Sequence, residues 1–137
     1  KLPGYPIIKL PNYLVLGLTA PNDYLYSRAD SWLKKRMDHG LTEEVESLIR
    51  SGVSISWLES LGLEYRWITK FLMKRIAREQ ALQRLIGDIH DFIRRQKTYF
   101  RQFTSLNIQI FDISSNTWQN KLEKRVKSWY SEERMRN

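Results

Sequence analysis

The pattern that most constrains this chain is a long helical periodicity in its second half. Apolar side chains recur there three and four residues apart, which is the spacing of a helix that buries one face. The series consists of Leu82, Leu85, Ile86, Ile89, Phe92, Ile93, Phe100 and Phe103. We therefore predict one helix of roughly 33 Å, with this apolar stripe in the core.

A different face of the same predicted helix is basic and polar. Arg94, Thr98 and Arg101 share this face, because they stand at positions i, i+4 and i+7. Their neighbours along the helix are Arg95, Gln96, Lys97 and Tyr99. Guanidinium groups suit phosphate oxygens, while aromatic rings and amides suit unstacked bases. The pattern predicts an RNA-binding face, with a solvated basic surface as the alternative.

The charge balance of the whole chain agrees with a polyanionic partner. Lys and Arg number 23 against 15 Asp and Glu among 137 residues, giving a net charge of +8. Nucleic acid is the simplest partner for such a surface, although an acidic membrane surface would also suit it. No apolar run approaches the roughly 20 residues that span a bilayer. The absence of cysteine excludes disulfides and thiolate metal sites and favours a reducing cytoplasm.

The remaining periodicity predicts a mainly α-helical chain with two short strands in one small sheet. The strands are expected at residues 13–18, a continuous apolar run, and at residues 107–112, where apolar and polar residues alternate. Helices are predicted over residues 23–40, 42–52, 57–62 and 63–73, before the long helix, and again after residues 115–117. Thr19 or Asn22 is expected to cap the first helix. Residues 1–12 form an irregular lead-in, and residues 115–137 form a helical tail.

The sequence lacks the patterns that identify a catalytic centre. His39 and His90 have no companions at ligand spacing, so we expect structural or solvated roles for both. No nucleophile stands beside a base, and the six glycines form no phosphate-binding loop. On these residues alone, the chain is a basic, mostly helical module that binds nucleic acid.

Several motifs, taken in order, resemble the C-terminal half of the tRNA dimethylallyltransferases, also called tRNA isopentenyltransferases. The motifs are Leu16-Gly-Leu-Thr, the Leu25-Tyr-Ser-Arg28 helix, Gly40-Leu-Thr-Glu-Glu-Val45, Glu59-Ser-Leu-Gly-Leu-Glu-Tyr-Arg66 and Arg94-Arg-Gln-Lys-Thr-Tyr-Phe-Arg101. The last of these is similar to the family's Lys-Arg-Gln-x-Thr-Trp-Phe-Arg. The resemblance covers roughly residues 10 to 114, and it makes residues 13–114 the C-terminal portion of the family's domain.

The resemblance implies a fold, an activity and partners. The fold would be the C-terminal part of a P-loop-type α/β transferase, a nucleotide-binding architecture that works with Mg²⁺. The family transfers a dimethylallyl group from dimethylallyl diphosphate to N6 of the adenosine beside the tRNA anticodon. The partners would be tRNA, dimethylallyl diphosphate and the missing N-terminal half of the same enzyme, with no membrane. That half carries the phosphate loop and the catalytic Asp, so we expect no catalytic residue or metal ligand here and no activity from this part alone.

The resemblance also implies which residues face the substrates. The tRNA-binding set is Gly62, Leu63, Glu64, Tyr65, Arg66, Arg94, Arg95, Gln96, Thr98, Tyr99 and Arg101. Arg28 and Arg36 are assigned to the diphosphate channel. The family usually carries two arginines four apart on the first helix, and the second position is Trp32 here. We expect Arg36 to substitute for it, or the enzyme to be impaired.

Two alternatives belong to other functional classes. One is a non-catalytic RNA-binding module that retains only the tRNA-facing helices. The other is a helical DNA-binding domain, in which Gly62 between two short helices would imitate a helix-turn-helix. The aromatic residues of the motifs suit single-stranded bases better than a duplex.

Overall fold

The secondary structure follows the predicted order of elements. The computed structural model describes residues 13–102 and 108–134. Its elements are β1 (Leu16–Thr19), α1 (Asn22–Asp38), α2 (Leu41–Arg50), α3 (Ile55–Leu61), α4 (Leu63–Leu72), α5 (Arg78–Arg101), β2 (Gln109–Asp112) and α6 (Trp118–Arg134). The expected fold class, mainly α with two short strands, is confirmed. Residues 21–100 form one compact unit, and the described residues outside this range form a second.

Five buried side chains make the core of the helical unit. They are Leu33 of α1, Leu41 and Val45 of α2, Ile68 of α4 and Leu85 of α5. Gly40 joins α1 to α2 with a φ of 87°, a left-handed conformation that glycine adopts without steric cost. The turn therefore folds α2 back so that Leu41 and Val45, one helical turn apart, reach the same core.

The helix α4 ends at a sharp break and contacts α5 through a polar pair as well as the core. Lys74, just after α4, has a φ of 56°, which is incompatible with a continued right-handed helix. The helix predicted over residues 63–73 therefore ends close to its predicted boundary. The indole Nε1 of Trp67 donates a hydrogen bond to Asp88 Oδ2 of α5 at 2.8 Å. Helix α5 then begins at Arg78.

The apolar stripe of α5 is only partly buried, and Ile86 in its first half is 36% exposed, so the predicted core was partly wrong. Leu85 is buried and Ile89 packs against the core, but Phe92 and Phe100 are 47% and 61% exposed. Helix α5 has 24 residues, whereas α2 and α4 have 10 each. Helices α2 and α4, at roughly 15 Å each, can cover only part of a helix of roughly 36 Å. The last member of the stripe, Phe103, lies outside the described residues.

The expected cap of α1 was also wrong. The residue before the helix is Pro21, and no side chain caps the first turn. Asn22 is the first residue of the helix itself, and Thr19 lies in β1. The side chain of Asn22 accepts a hydrogen bond from Lys97 Nζ at 2.7 Å, so a contact with α5 replaces the expected cap.

The second unit contains the parallel pair β1 and β2 and the helix α6. The register pairs Leu16 with Gln109 and Thr19 with Asp112. Phe111 of β2 is buried. The prediction of two short strands in one sheet is confirmed, although β1 begins at Leu16 rather than at residue 13. In the described part of the chain, no helix combines the length and apolarity needed to cross a bilayer.

Candidate RNA-binding site

A row of polar pairs joins α1 to α5 inside the helical unit. Three residues spaced four apart on α1 contact three residues spaced three and four apart on α5. Their order along α1 is opposite to the order of their partners along α5, so the two helices run antiparallel. The pairs are Asn22 with Lys97 (2.7 Å), Tyr26 with Arg94 (3.1 Å) and Asp30 with His90 (2.8 Å). This row places the basic segment of α5 beside α1.

Arg94 is the centre of this row. Its Nη1 donates to the hydroxyl oxygen of Tyr26, and its guanidinium forms an ion pair with Asp91 on its own helix. The Arg94 side chain is nevertheless 54% exposed. A guanidinium has five N–H donors in a planar fork, so two protein partners leave donors that can reach phosphate oxygens.

The other predicted residues of α5 differ in what they offer to a ligand. The hydroxyl of Thr98 donates to the carbonyl of Arg94 at 3.1 Å, so its proton is used within the helix. Arg95 is exposed and Gln96 is half-buried. Tyr99 is exposed and contacts the ring of Phe100 edge to face, with centroids 5.6 Å apart. Arg101, the last residue of α5, is exposed and belongs to the second compact unit.

The Glu59–Arg66 motif, which lies on α3 and α4, makes its main polar contacts with Glu44 and Glu59. Tyr65 donates a short hydrogen bond to Glu44 of α2, and Arg36 Nη2 of α1 donates to the other oxygen of Glu44 at 3.1 Å. The hydrogen bond from Tyr65 lowers the pKa of Glu44, with the positive charge of Arg36 adding to it against the effect of burial. The same bond raises the pKa of Tyr65. Tyr65 and Arg36 therefore share one partner inside the protein, the carboxylate of Glu44.

Glu59 holds two arginines, one through its backbone and one through its side chain. The backbone carbonyl of Glu59 accepts from Arg66 Nε at 3.1 Å, and its carboxylate accepts from Arg75 Nη1 at 2.5 Å. Leu63 packs against the core, and Glu64 is half-buried. The side chains of this motif thus hold α3 and α4 together, and their contact with RNA stays a prediction.

Gly62 stands between α3 and α4 without an obvious structural need for glycine. Its φ of 178° is extended backbone that any residue adopts. A Cβ added there would meet Glu64 Oε2 at 3.6 Å, which is ordinary van der Waals contact. Neither the backbone conformation nor the described neighbours exclude a side chain at this position.

The residues assigned to the diphosphate channel lie on α1. Arg28 is exposed, and its guanidinium lies 5.9 Å from the ring centroid of Tyr24. Trp32 follows one helical turn later and is 45% exposed, so it is not a core residue. Arg36, the expected substitute, is the residue bound to Glu44. The channel assignment of Arg28 and Arg36 stays a prediction.

Sequence reasoning missed the part that Tyr26, Asp30 and His90 play beside Arg94. A structural or solvated role was expected for His90, and its ring stacks on Tyr26 with centroids 4.1 Å apart and an interplanar angle of 12°. The four-residue spacing of Asn22, Tyr26 and Asp30 was a signal that α1 carries a polar stripe. Pairing that stripe with α5 required the tertiary structure.

The described residues contain no group of three or more His, Asp or Glu side chains that could hold a metal ion. The Nδ1 of His39 instead lies 2.6 Å from the carbonyl oxygen of Lys35. The Mg²⁺ that the resemblance implies, with its ligands in the rest of the enzyme, stays a prediction.

Comparison with known proteins gives a consistent result. A family model described as IPP transferase matches residues 6–103. The tRNA dimethylallyltransferase 1 of Hahella chejuensis is 39% identical over 97 residues, which are 71% of this chain and 32% of the relative. The tRNA dimethylallyltransferase of Thermomicrobium roseum is 35% identical over 120 residues, or 88% of this chain and 36% of the relative.

Two crystal structures share the fold. The full-length tRNA isopentenylpyrophosphate transferase from Bacillus halodurans superposes with a TM-score of 0.73 at 21% identity, over 87% of this chain and 39% of that protein. The tRNA delta(2)-isopentenylpyrophosphate transferase from Staphylococcus epidermidis also gives a TM-score of 0.73, at 22% identity, over 88% of this chain and 39% of that protein. At such identities the likeness concerns the fold.

The sequence relatives extend well beyond the matched region, and this chain spans about a third of their length. The family model nevertheless covers most of the chain, including the Glu59–Arg66 motif on α3–α4 and the whole of α5 with its Arg94–Arg101 motif. The chain belongs to the IPP transferase family, in the region that corresponds to part of a tRNA dimethylallyltransferase.

Proposed function

We propose that this chain is the RNA-facing, C-terminal portion of a tRNA dimethylallyltransferase. The complete enzyme would transfer a dimethylallyl group from dimethylallyl diphosphate to N6 of the adenosine beside the tRNA anticodon. The observation that carries this proposal is the family match over residues 6–103. That range holds the two motifs whose residues we assign to tRNA.

In this proposal the basic segment of α5 meets the RNA backbone. Arg94 and Arg95 are exposed at neighbouring positions on α5, and each can offer a guanidinium fork to a phosphate. The exposed ring of Tyr99 offers a stacking surface to an unpaired base. A base that reacts at an exocyclic nitrogen must leave its stack, so phosphate contacts beside a stacking ring suit the reaction.

The transfer itself would use groups outside the described residues. As N6 bonds to the terminal carbon of the dimethylallyl group, the bond from that carbon to the diphosphate breaks and N6 loses a proton. In our proposal Arg28 faces the leaving diphosphate. The base, the phosphate loop and the Mg²⁺ ligands would belong to the rest of the enzyme, so the chain alone would be inactive. We place the enzyme in the cytoplasm, where its tRNA substrate would be found.

We propose tRNA rather than a free adenine nucleotide as the acceptor. A free nucleotide needs only a local pocket, whereas a folded RNA rewards positive charge spread over a wide surface. The basic residues continue beyond α5 onto α6, at Lys121, Lys124, Arg125 and Lys127. Lys121 and Lys124 are exposed. This distribution favours an extended polyanion.

Labelled dimethylallyl diphosphate tests the proposal. The complete protein that contains this chain should label tRNA but not AMP, and the chain by itself should label neither. Label in AMP alone would identify a nucleotide prenyltransferase. RNA binding by the complete protein without any transfer would favour the non-catalytic RNA-binding module.

A further inference from the structure

We propose that Tyr26, His90 and Asp30 are positioning residues that orient the guanidinium of Arg94 towards the RNA backbone. This inference rests on the proposed function, because it gives the orientation of Arg94 a role in binding RNA. It assigns a task to three side chains that touch no substrate themselves. The three lie on α1 and α5, and they contact one another in sequence.

The contacts form a chain that ends at Arg94. Asp30 Oδ1 lies 2.8 Å from His90 Nε2, which fixes the plane of the imidazole ring. The imidazole stacks on Tyr26 with an interplanar angle of 12°, which fixes the phenol ring. The hydroxyl oxygen of Tyr26 then accepts from Arg94 Nη1 at 3.1 Å. Each contact restricts the next side chain in the chain.

Arg94 needs such support because it is exposed and long. A free arginine side chain samples many rotamers, and ordering it on binding costs affinity. Asp91 alone would hold the guanidinium by its charge. Its carboxylate would also offset part of the positive charge that attracts a phosphate. The phenol oxygen of Tyr26 is a neutral acceptor, so it directs the guanidinium without cancelling that charge. Two anchors on different helices define the direction of the fork better than one.

A purely structural interpretation makes the same contacts a clamp between α1 and α5. The two interpretations differ in whether Tyr26 affects RNA binding through Arg94. Under the positioning proposal, the Tyr26 hydroxyl has no effect on binding once the guanidinium is gone. Under the clamp interpretation, its loss weakens the helical unit, and hence binding, whether or not Arg94 is present.

The test is a double-mutant cycle on the full chain. The probe is an unmodified anticodon stem-loop RNA, and fluorescence anisotropy gives the dissociation constant at fixed salt. Tyr26→Phe removes only the hydroxyl and keeps the stacked ring. It should raise the dissociation constant about threefold to tenfold, the effect of one hydrogen bond. In the Arg94→Ala background, Tyr26→Phe should change it less than about twofold, because coupled residues are not additive.

Two further comparisons strengthen the cycle. Asp30→Ala should weaken RNA binding, whereas Asp30→Asn, whose amide oxygen can still accept from His90, should restore most of the affinity.

Arg84→Ala removes one exposed arginine of α5 that has no partner among the described residues, and it controls for loss of charge alone. Thermal melts of every variant show whether folding survives. If Tyr26→Phe does not fold, His90→Phe keeps a stacked ring and breaks only the link to Asp30.

The outcomes separate this inference from the proposed function. Equal weakening by Tyr26→Phe with and without Arg94 overturns the positioning role, and so does an effect of Arg94→Ala with none from Tyr26→Phe. In both cases RNA binding by α5 still stands. If the chain binds no RNA, or if Arg94→Ala binds as tightly as the wild type, the RNA-facing role of Arg94 fails and this inference fails with it.

Discussion

The hydroxyl of Tyr65 donates a hydrogen bond to the carboxylate of Glu44, which lies 21 residues earlier in the chain. The bond joins α4 to α2, and Arg36 adds α1 through the same carboxylate. A motif residue that the family resemblance assigns to tRNA is thus committed to the packing of three helices. The contact predicts that Tyr65 acts first on stability.

Replacing Tyr65 with Phe should lower the free energy of unfolding by about 1 kcal/mol. A hydrogen bond to a charged group is worth somewhat more when buried, but Glu44 is 40% exposed and solvent screens the interaction. Urea melts measure the change. Affinity for an anticodon stem-loop should stay within about twofold of the wild type under folding conditions. A large loss of affinity without loss of stability would instead show that the hydroxyl contacts RNA.

The same pair predicts how this contribution depends on pH. The pKa of Glu44 is lowered in the folded state, so its contribution is present above the unfolded pKa, near 4.5, and is lost as the pH falls through the folded value. The pKa of Tyr65 is raised, so its contribution is present below 10.0 and is lost as the pH rises through the folded value.

Urea melts of the wild type and Tyr65→Phe across this pH range check the prediction. The difference between the two proteins should be largest near neutral pH and shrink at both ends. Glu44→Gln serves as the matched control, because its side chain does not titrate. A difference that stays constant down to acidic pH would contradict the role of the Glu44 carboxylate.

Thr69 predicts a stabilising substitution. Its side chain is fully buried in α4, and its hydroxyl has no hydrogen-bond partner among the described residues. Thr69→Val keeps the branched shape and removes the polar atom, so we expect the free energy of unfolding to rise by about 1 kcal/mol. Thr69→Ser, which keeps the hydroxyl and loses a methyl group, should destabilise. A destabilised Val variant would mean that the hydroxyl is satisfied.

Substitution of Gly62 should affect the stability of the fold and the transfer activity in different ways. Because its backbone is extended and a Cβ has room, Gly62→Ala should leave the fold intact and stabilise it by up to about 1 kcal/mol. If RNA approaches the backbone at this position, the added methyl group should reduce transfer to tRNA by the complete enzyme. Melting and turnover measured on the same sample check both halves. Unchanged turnover would remove Gly62 from the tRNA-binding set.

Trp32 predicts a gain of function. The indole is 45% exposed on α1, so Trp32→Arg should not cost core packing. An arginine there would restore the pair with Arg28 that the family usually carries, and transfer by the complete enzyme should rise. Trp32→Gln is the uncharged control. If Trp32→Arg lowers the stability and does not raise the activity, Trp32 serves the packing of the fold.

Local periodicity was sufficient to predict the helices, because glycines and apolar spacing are properties of neighbouring residues. It could not predict how much of a helix its neighbours cover, so Phe92 was assigned to the core although it is 47% exposed. Nor could it pair α1 with α5, since Tyr26 and Arg94 are 68 residues apart. The buried hydroxyl of Thr69 likewise depends on tertiary packing. The assignment of site residues still rests on the motifs.

The central claim is that the basic face of α5 binds RNA, and the salt dependence of binding tests it most directly. The wild-type chain should bind an anticodon stem-loop with an affinity that falls steeply as salt rises. Arg94→Ala should weaken binding by about 1–3 kcal/mol and reduce the salt slope by about one phosphate contact, without altering the melt. Arg84→Ala should change the affinity much less. Equal effects of the two substitutions, or no change in slope for Arg94→Ala, would contradict the claim.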